Sequence, residues 1–178
     1  LTDHKVAISG AHDEYVPQSV RNAMTSARNA GTSLAFLGAN AVYWRVRFES
    51  SPVTGASNRT LVVYKTTQSG ATDPVSPTGT WRDPAGANAP ENALIGVQYI
   101  GDNEGAWFPM KISAAEGQNR FWRHTGFASL APGTSDTLGQ YLVGWEWDAR
   151  AANGQEPAGV QTLSSTPVTG NLLTDAGR

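Results

Sequence analysis

The sequence predicts an α/β fold at its beginning that passes into a β-rich C-terminal region. Two short apolar runs, residues 6–8 and 32–37, are typical of buried parallel strands. Residues 16–30 between them carry apolar side chains at helical spacing. From Val42 onward, apolar and polar residues alternate as they do in half-buried antiparallel strands.

The first 41 residues form one predicted strand–helix–strand unit. Pro17 suits the first turn of the helix, and Gly31 provides its stop. Such crossovers are almost always right-handed and join parallel strands. We therefore expect the strands at 6–8 and 32–37 to be parallel, with the helix over 16–30 between them.

The remaining elements are predicted to be strands and turns. A turn at 52–58 joins antiparallel strands at 43–48 and 59–65, and a surface loop follows at 69–90. Four more strands are expected, at 95–100, 118–124, 141–147 and 160–163. We assign residues 1–170 to one domain, with an α/β part over 1–41 and a β-rich part over 42–170, and residues 171–178 to a tail or linker.

Composition limits the classes of function. The net charge of −2, with scattered Lys and Arg, argues against nucleic-acid binding. No apolar run approaches the ~20 residues that a membrane helix needs, and there is no cysteine to act as nucleophile or metal ligand. The preference for arginine over lysine, with abundant Ala, Gly, Thr and Ser, is typical of secreted bacterial proteins. It indicates an extracellular location, with a cytoplasmic one as the alternative.

Three polar residues follow the two predicted parallel strands. His12 and Glu14 are two positions apart, so in extended backbone their side chains point to the same side. Asn40 follows the second strand, and open α/β sheets bind ligands at this edge. Neighbouring strands lie about 4.8 Å apart, so the three side chains are expected to converge. The alternative is a surface or capping pair at 12–14 and ordinary turn chemistry at Asn40.

A second candidate lies in the segment 144–148. In a strand, Glu146 and Asp148 share one face, and Trp145 and Trp147 occupy the other. An acid shielded from water by tryptophans suits proton transfer. The alternative is a carboxylate that accepts hydrogen bonds from loop amides.

Several separated motifs follow one another along the chain. They occupy, in order, 12–15, 31–40, 43–45, 81–83, 125–127, 144–148 and 163–166. Through them the chain resembles the N,N-dimethylformamidase large (beta) subunit family, in its C-terminal catalytic-type domain, from about residue 5 to 168. The resemblance implies a class I glutamine-amidotransferase-like (flavodoxin-like) fold, here a partial domain, and hydrolysis of linear amides at a mononuclear iron.

The resemblance also implies roles for individual residues. Glu14 matches the glutamate that binds iron beside two tyrosinates, and His12 matches a histidine next to the metal. Asn40 and Glu146 match polar residues of the substrate pocket, with Glu146 a candidate proton shuttle. Carboxylate and phenolate oxygens suit ferric iron, which can activate an amide carbonyl and water.

The chain departs from the family pattern at the two tyrosine ligands. In the family these lie upstream of the His-x-Glu motif, and Tyr15 and Tyr43 do not match them. We therefore expect a missing N-terminal segment or a companion chain to complete any iron site. A parallel sheet is normally covered on both faces, and one strand–helix–strand unit cannot supply both layers. An exposed apolar face on 6–8, 34–37 or the helix is accordingly predicted.

Two other functions stay open at this point. One is a non-catalytic binding or structural module of a larger secreted protein that keeps the fold but not the activity. The other is a carbohydrate-binding domain, because six tryptophans in 178 residues is a high number. Exposed tryptophans with no pocket around Glu14 would favour the latter.

Overall fold

The computed structural model describes residues 1–65, 72–170 and 173–174, and it mixes helices with several sheets. It divides into two compact units. The first contains Leu1–Ile100 and Asp148–Pro157, and the second contains Gly101–Trp147 and Ala158–Thr174. The assignment of residues 1–170 to one domain stays a prediction.

The predicted strand–helix–strand unit is confirmed. Strand β1 (Val6–Ser9) pairs in parallel with β3 (Ser33–Phe36), and α1 (Gln18–Asn29) lies between them in sequence. Gly31 ends the helix with a φ of 95°, a left-handed conformation that glycine adopts without strain.

The start of the helix differs from the prediction. An additional strand, β2 (Tyr15–Pro17), precedes α1, so residues 16 and 17 are extended rather than helical. Val16 and Pro17 pair with Arg45 and Val46, and this pairing determines their conformation. Pro17 therefore caps the helix instead of lying in its first turn.

A strand from the predicted β-rich part organises the second sheet. Strand β4 (Trp44–Glu49) pairs in parallel with β2 and in antiparallel fashion with β5 (Thr60–Val62) and β6 (Gly79–Thr80). The predicted antiparallel hairpin is thus confirmed. Strand β6 interrupts the loop predicted at 69–90, so that prediction is wrong at Gly79–Thr80. Residues 69–71 of the predicted loop lie outside the described part. Helix α2 (Asn92–Ile95) follows and leads to β7 (Gln98–Ser113).

The core of the first unit consists of two hydrophobic clusters. Val16, Val42 and Trp81 are buried in one, and Tyr43 and Trp44 in the other. The rings of Tyr43 and Trp44 meet edge to face, with centroids 4.8 Å apart. The strand predicted at 43–48 therefore supplies aromatic side chains to the core of this unit.

The second unit is built on β7, β8 (Ser135–Ala149) and the short β9 (Leu173–Thr174). The predicted strand at 141–147 is confirmed within β8, and the one at 95–100 begins only at Gln98. The strand predicted at 118–124 is wrong. A 3₁₀ turn at Arg120–Trp122 lies there, preceded by α3 (Ala114–Gly117) and followed by a second 3₁₀ turn at Gly126–Ser129. Asn119 caps the first of these turns by accepting a hydrogen bond from Phe121 N–H, which favours a turn over a strand.

Two further predictions at the C-terminus need correction. Residues 160–163 are irregular rather than a strand. The Trp122 indole N–H donates to the Leu163 carbonyl, so this backbone is held by a side chain instead of a ladder. Within the predicted tail, Leu173–Thr174 pairs with β7, and residues 171–172 and 175–178 lie outside the described part.

The predicted exposed apolar face is confirmed on β1 and β3. Val6 and Ile8 are 51% and 65% exposed, and Leu37, just after β3, is 72% exposed. Leu34 and Phe36 lie on the opposite side and pack against the core. Val6, Ile8 and Leu37 share one side because side chains alternate along strands; we call it the outer face.

Helices that could cross a membrane are not found among the residues described, since each is too short or too polar.

Candidate functional site

The loops after β1 and β3 are in direct contact. Leu37 N–H donates to the Ser9 carbonyl at 3.0 Å. A Cβ at Gly38 would lie 2.6 Å from the carbonyl oxygen of Ala11, so only glycine allows this approach. Ser9 Oγ donates to the Asp13 carboxylate at 2.5 Å and ties the first loop to its own strand. These contacts place the segment 12–14 beside the segment that begins at Asn40.

Glu14 is the centre of the resulting cluster. Its Oε1 accepts hydrogen bonds from Asn40 Nδ2 at 3.2 Å and from the Trp44 indole N–H at 2.9 Å. Its Oε2 lies 3.5 Å from His12 Nε2. The side chain of Glu14 is 15% exposed and that of His12 is 51% exposed. The pair therefore lies where the cluster meets the surface. The structure thus brings together His12, Glu14 and Asn40, three of the four predicted site residues.

A tight backbone turn over residues 40–44 holds Glu14 from the other side. Val42 N–H donates to the Asp13 carbonyl at 2.8 Å, and the N–H groups of Tyr43 and Trp44 both donate to the Glu14 carbonyl at 3.0 and 2.8 Å. Val42 is buried and has a φ of 58°, a left-handed conformation that is unfavourable for a β-branched residue. Strained backbone of this kind persists where the surrounding contacts over-determine it, and it concentrates at functional sites.

The fourth predicted residue, Glu146, lies in the second unit, on β8. Its relation to Glu14 stays a prediction. The expected alternation around it is interrupted, because Gly144 and Trp145 have φ values of 149° and 56°. A Cβ at Gly144 would lie 2.4 Å from the Ala106 carbonyl, so β7 and β8 approach closely there.

Asp148 is a residue of the site that sequence reasoning did not select. Its Oδ1 accepts a hydrogen bond from the Asn40 backbone N–H at 2.8 Å. The signal was present, since the segment 144–148 contains two acids on a predicted common face. Nothing in the spacing distinguishes Asp148 from Glu146, and only the fold shows that Asp148 reaches Asn40.

Lys65 is a second residue that the sequence analysis missed. Its ammonium lies 4.7 Å from the centroid of the Trp44 ring and 5.2 Å from that of Tyr15. It also donates a hydrogen bond to the Tyr15 hydroxyl at 2.8 Å. No sequence motif links these three residues. Tyr15 and Trp44 are partners in the β2–β4 register, and Lys65 follows β5, which also pairs with β4.

Comparison with protein families supplies the identification. The family model for the N,N-dimethylformamidase beta subunit-like C-terminal domain matches residues 1–177. The chain belongs to this family. The family resemblance noted in the sequence is therefore confirmed, and a role related to amide hydrolysis follows from it. A comparison with curated proteins found no match.

The residues that the structure describes do not by themselves fit a mononuclear iron. Among the residues described, no group of three or more His, Cys, Asp or Glu side chains is placed to hold a metal ion. Glu14 Oε1 already accepts two N–H donors, so Oε2 is the oxygen facing His12. Tyr43 is 2% exposed and packs among Trp44 and Tyr99 in the core. The assignment of Glu14 as an iron ligand stays a prediction.

A separate buried charge cluster supports the aromatic core behind the site. Glu91 is fully buried and forms an ion pair with Arg82, whose guanidinium lies 4.9 Å from the Tyr43 ring centroid. Burial raises the pKa of the Glu91 carboxyl, and Arg82 and Arg21 oppose that rise. Burial also lowers the pKa of Arg21, which stacks on Trp81 at 4.5 Å. Glu91 and Arg21 are thus buried charges of the core, and Arg82 reaches Glu91 from a partly exposed position.

Proposed function

We propose that this chain contributes the Glu14 centre of a site that hydrolyses the C–N bond of linear amides. Membership of the dimethylformamidase beta subunit-like family supports the reaction class. The observation that carries the assignment to Glu14 is its geometry, with Oε1 held by Asn40 and Trp44 and Oε2 directed to His12. A partly buried, well-oriented carboxylate at the carboxyl edge of parallel strands is the arrangement expected of an α/β site. We also assign the α/β part to a class I glutamine-amidotransferase-like fold, which its parallel β1–β3 pair supports.

The proposed reaction adds water to an amide, so that a C–O bond forms, the C–N bond breaks and the leaving amine gains a proton. Within this chain, Glu14 Oε2 lies 3.5 Å from Nε2 of His12, whose side chain is half exposed. These two atoms are suited to bind and orient the reacting groups. Asn40 holds the Glu14 carboxylate through its side-chain amide, and Asp148 holds the Asn40 backbone N–H. Glu146 is the proposed proton donor to the amine, in keeping with its place in the family motif.

Iron is proposed to take only Glu14 from this chain. Its remaining ligands would belong to a companion segment or chain. Hard oxygen donors are suited to ferric iron, but the donor set described above is insufficient without that companion.

The outer face is the proposed contact surface for the companion. Its three large apolar side chains, Val6, Ile8 and Leu37, are exposed on a two-stranded parallel sheet. Parallel sheets are normally covered on both faces, and α1 covers only one. The family description names a beta subunit, which supports a partner chain at this surface.

The test is amide hydrolysis by the chain assembled with its companion, using N,N-dimethylformamide and other small linear amides as probes. Glu14→Gln keeps the size of the side chain and removes its charge. We expect a loss of about 10² to 10⁴ in kcat, measured as amine release. Glu49→Gln is the matched control, because Glu49 is an exposed acid paired with Arg47.

Two outcomes would contradict the proposal. One is full activity in Glu14→Gln. The other is a wild-type assembly, with iron bound, that hydrolyses none of the amides, which would favour the non-catalytic module. A carbohydrate-binding role is less well supported, because Trp44 and Trp81 are buried in the core; Trp107 and Trp145, about half exposed, are the tryptophans it would use.

A further inference from the structure

Trp44 links the buried core to the reactive carboxylate. Its side chain is fully buried, yet its indole N–H reaches Glu14 Oε1 at 2.9 Å. An indole ring in a packed core has a single orientation, so its N–H points in one direction. A hydrogen bond from such a donor fixes the position of the carboxylate more firmly than one from a mobile side chain.

The second contact of Trp44 strengthens the first. The Lys65 ammonium lies 4.7 Å from the centroid of its ring, within the range of a cation–π interaction. A cation over the ring draws electron density away from the indole N–H and makes it a better donor, as in other polarised hydrogen-bond chains. Lys65 is itself held by the Tyr15 hydroxyl at 2.8 Å.

We propose that Trp44 is a positioning residue for Glu14, and that Lys65 acts through it. By occupying Oε1, Trp44 and Asn40 leave Oε2 directed to His12. Trp44 does not contact the reacting groups; it determines which oxygen of Glu14 they meet. This inference rests on the proposed function of Glu14, but its structural part is testable without any substrate.

The structural test observes the indole N–H resonances by NMR of the ¹⁵N-labelled protein, purified with any companion that it retains. Trp44→Phe identifies the resonance of Trp44. In Glu14→Ala we expect that resonance to move upfield and its proton to exchange faster, since the acceptor is lost. In Lys65→Met we expect a smaller upfield movement. The Trp81 resonance is the internal reference, because Trp81 is equally buried and its N–H has no hydrogen-bond partner among the described residues.

The functional test compares two Trp→Phe variants in the amide assay. Trp44→Phe removes the N–H that holds Glu14 and should lower kcat by about 10–100-fold, the usual cost of losing an outer hydrogen-bond partner. KM should change little, because the orientation of the carboxylate is what alters. Trp81→Phe removes a buried indole of the same size and no hydrogen bond to Glu14, so kcat should fall by less than about threefold.

The two tests separate failure of this inference from failure of the proposed function. A Trp44 resonance that is unaffected by Glu14→Ala overturns the positioning role, whatever the activity. Equal losses of kcat in Trp44→Phe and Trp81→Phe also overturn it, since the effect would then come from core packing. A Trp44 resonance that responds, in a protein that hydrolyses no amide, upholds the positioning of Glu14 and refutes its proposed function.

Discussion

The strained backbone at Val42 can be tested by comparing two small replacements. Val42→Ala removes two methyl groups from a fully buried side chain, which should cost about 2 kcal/mol of the free energy of unfolding. Replacement of Ala by Gly normally costs a further ~0.5–1 kcal/mol for backbone entropy. Loss of one more buried methyl adds about 0.8 kcal/mol.

At Val42 the further costs of replacing alanine by glycine should be offset. Its φ of 58° costs an L-residue about 1–2 kcal/mol, and glycine removes that cost. The free energies of unfolding of Val42→Ala and Val42→Gly should therefore agree within about 0.5 kcal/mol. The control is Val46, equally buried on strand β4. There Val46→Gly should be less stable than Val46→Ala by about 1.5 kcal/mol.

Equilibrium unfolding in urea, followed by tryptophan fluorescence, measures all four variants. The reasoning is refuted if the gap between the Ala and Gly variants is as large at Val42 as at Val46. In that case the turn over 40–44 carries no strain, and the backbone at this site is an ordinary loop.

Two further predictions concern stability and assembly. Burial opposes ionisation of Asp73, but its bond from Arg47 at 2.7 Å, with others, lowers the pKa of that carboxyl to about 2 from 3.8. A carboxyl group whose pKa is lower in the folded than in the unfolded state stabilises the fold above a pH of about 4. This stabilisation is lost as the pH falls towards 2. The free energy of unfolding of the wild type should therefore exceed that of Asp73→Asn by on the order of 2 kcal/mol near neutral pH. This difference should disappear in acid. A difference that stays constant with pH contradicts the reasoning. On the outer face, Ile8→Lys should weaken companion binding, measured by calorimetry, at least tenfold. The control Val53→Lys, at an exposed position between β4 and β5, should leave binding unchanged. Equal binding by both variants rules out this surface.

Much of the first unit follows from local sequence patterns. The spacing of apolar residues over 16–30 predicted α1, and Gly31 predicted its end, because helix periodicity and left-handed glycine are local properties. The placement of His12, Glu14 and Asn40 followed from one topological rule, that parallel strands end at a common edge. Strand β2 was missed because a three-residue strand has too little sequence to show a period, and its pairing with β4 is a long-range contact.

The sequence by itself determined the family, the strand–helix–strand unit and the acids available for chemistry. Tertiary structure alone showed that Asp148 holds the Asn40 backbone, since the spacing of Asp148 and Glu146 does not distinguish them. It also decided that Trp44 and Lys65 belong to the Glu14 site. The hydrogen bonds of Trp44 to Glu14 and of Lys65 to Tyr15 join residues 30 and 50 positions apart in the chain. The orientation of a buried ring depends on packing from all sides, which no local pattern encodes.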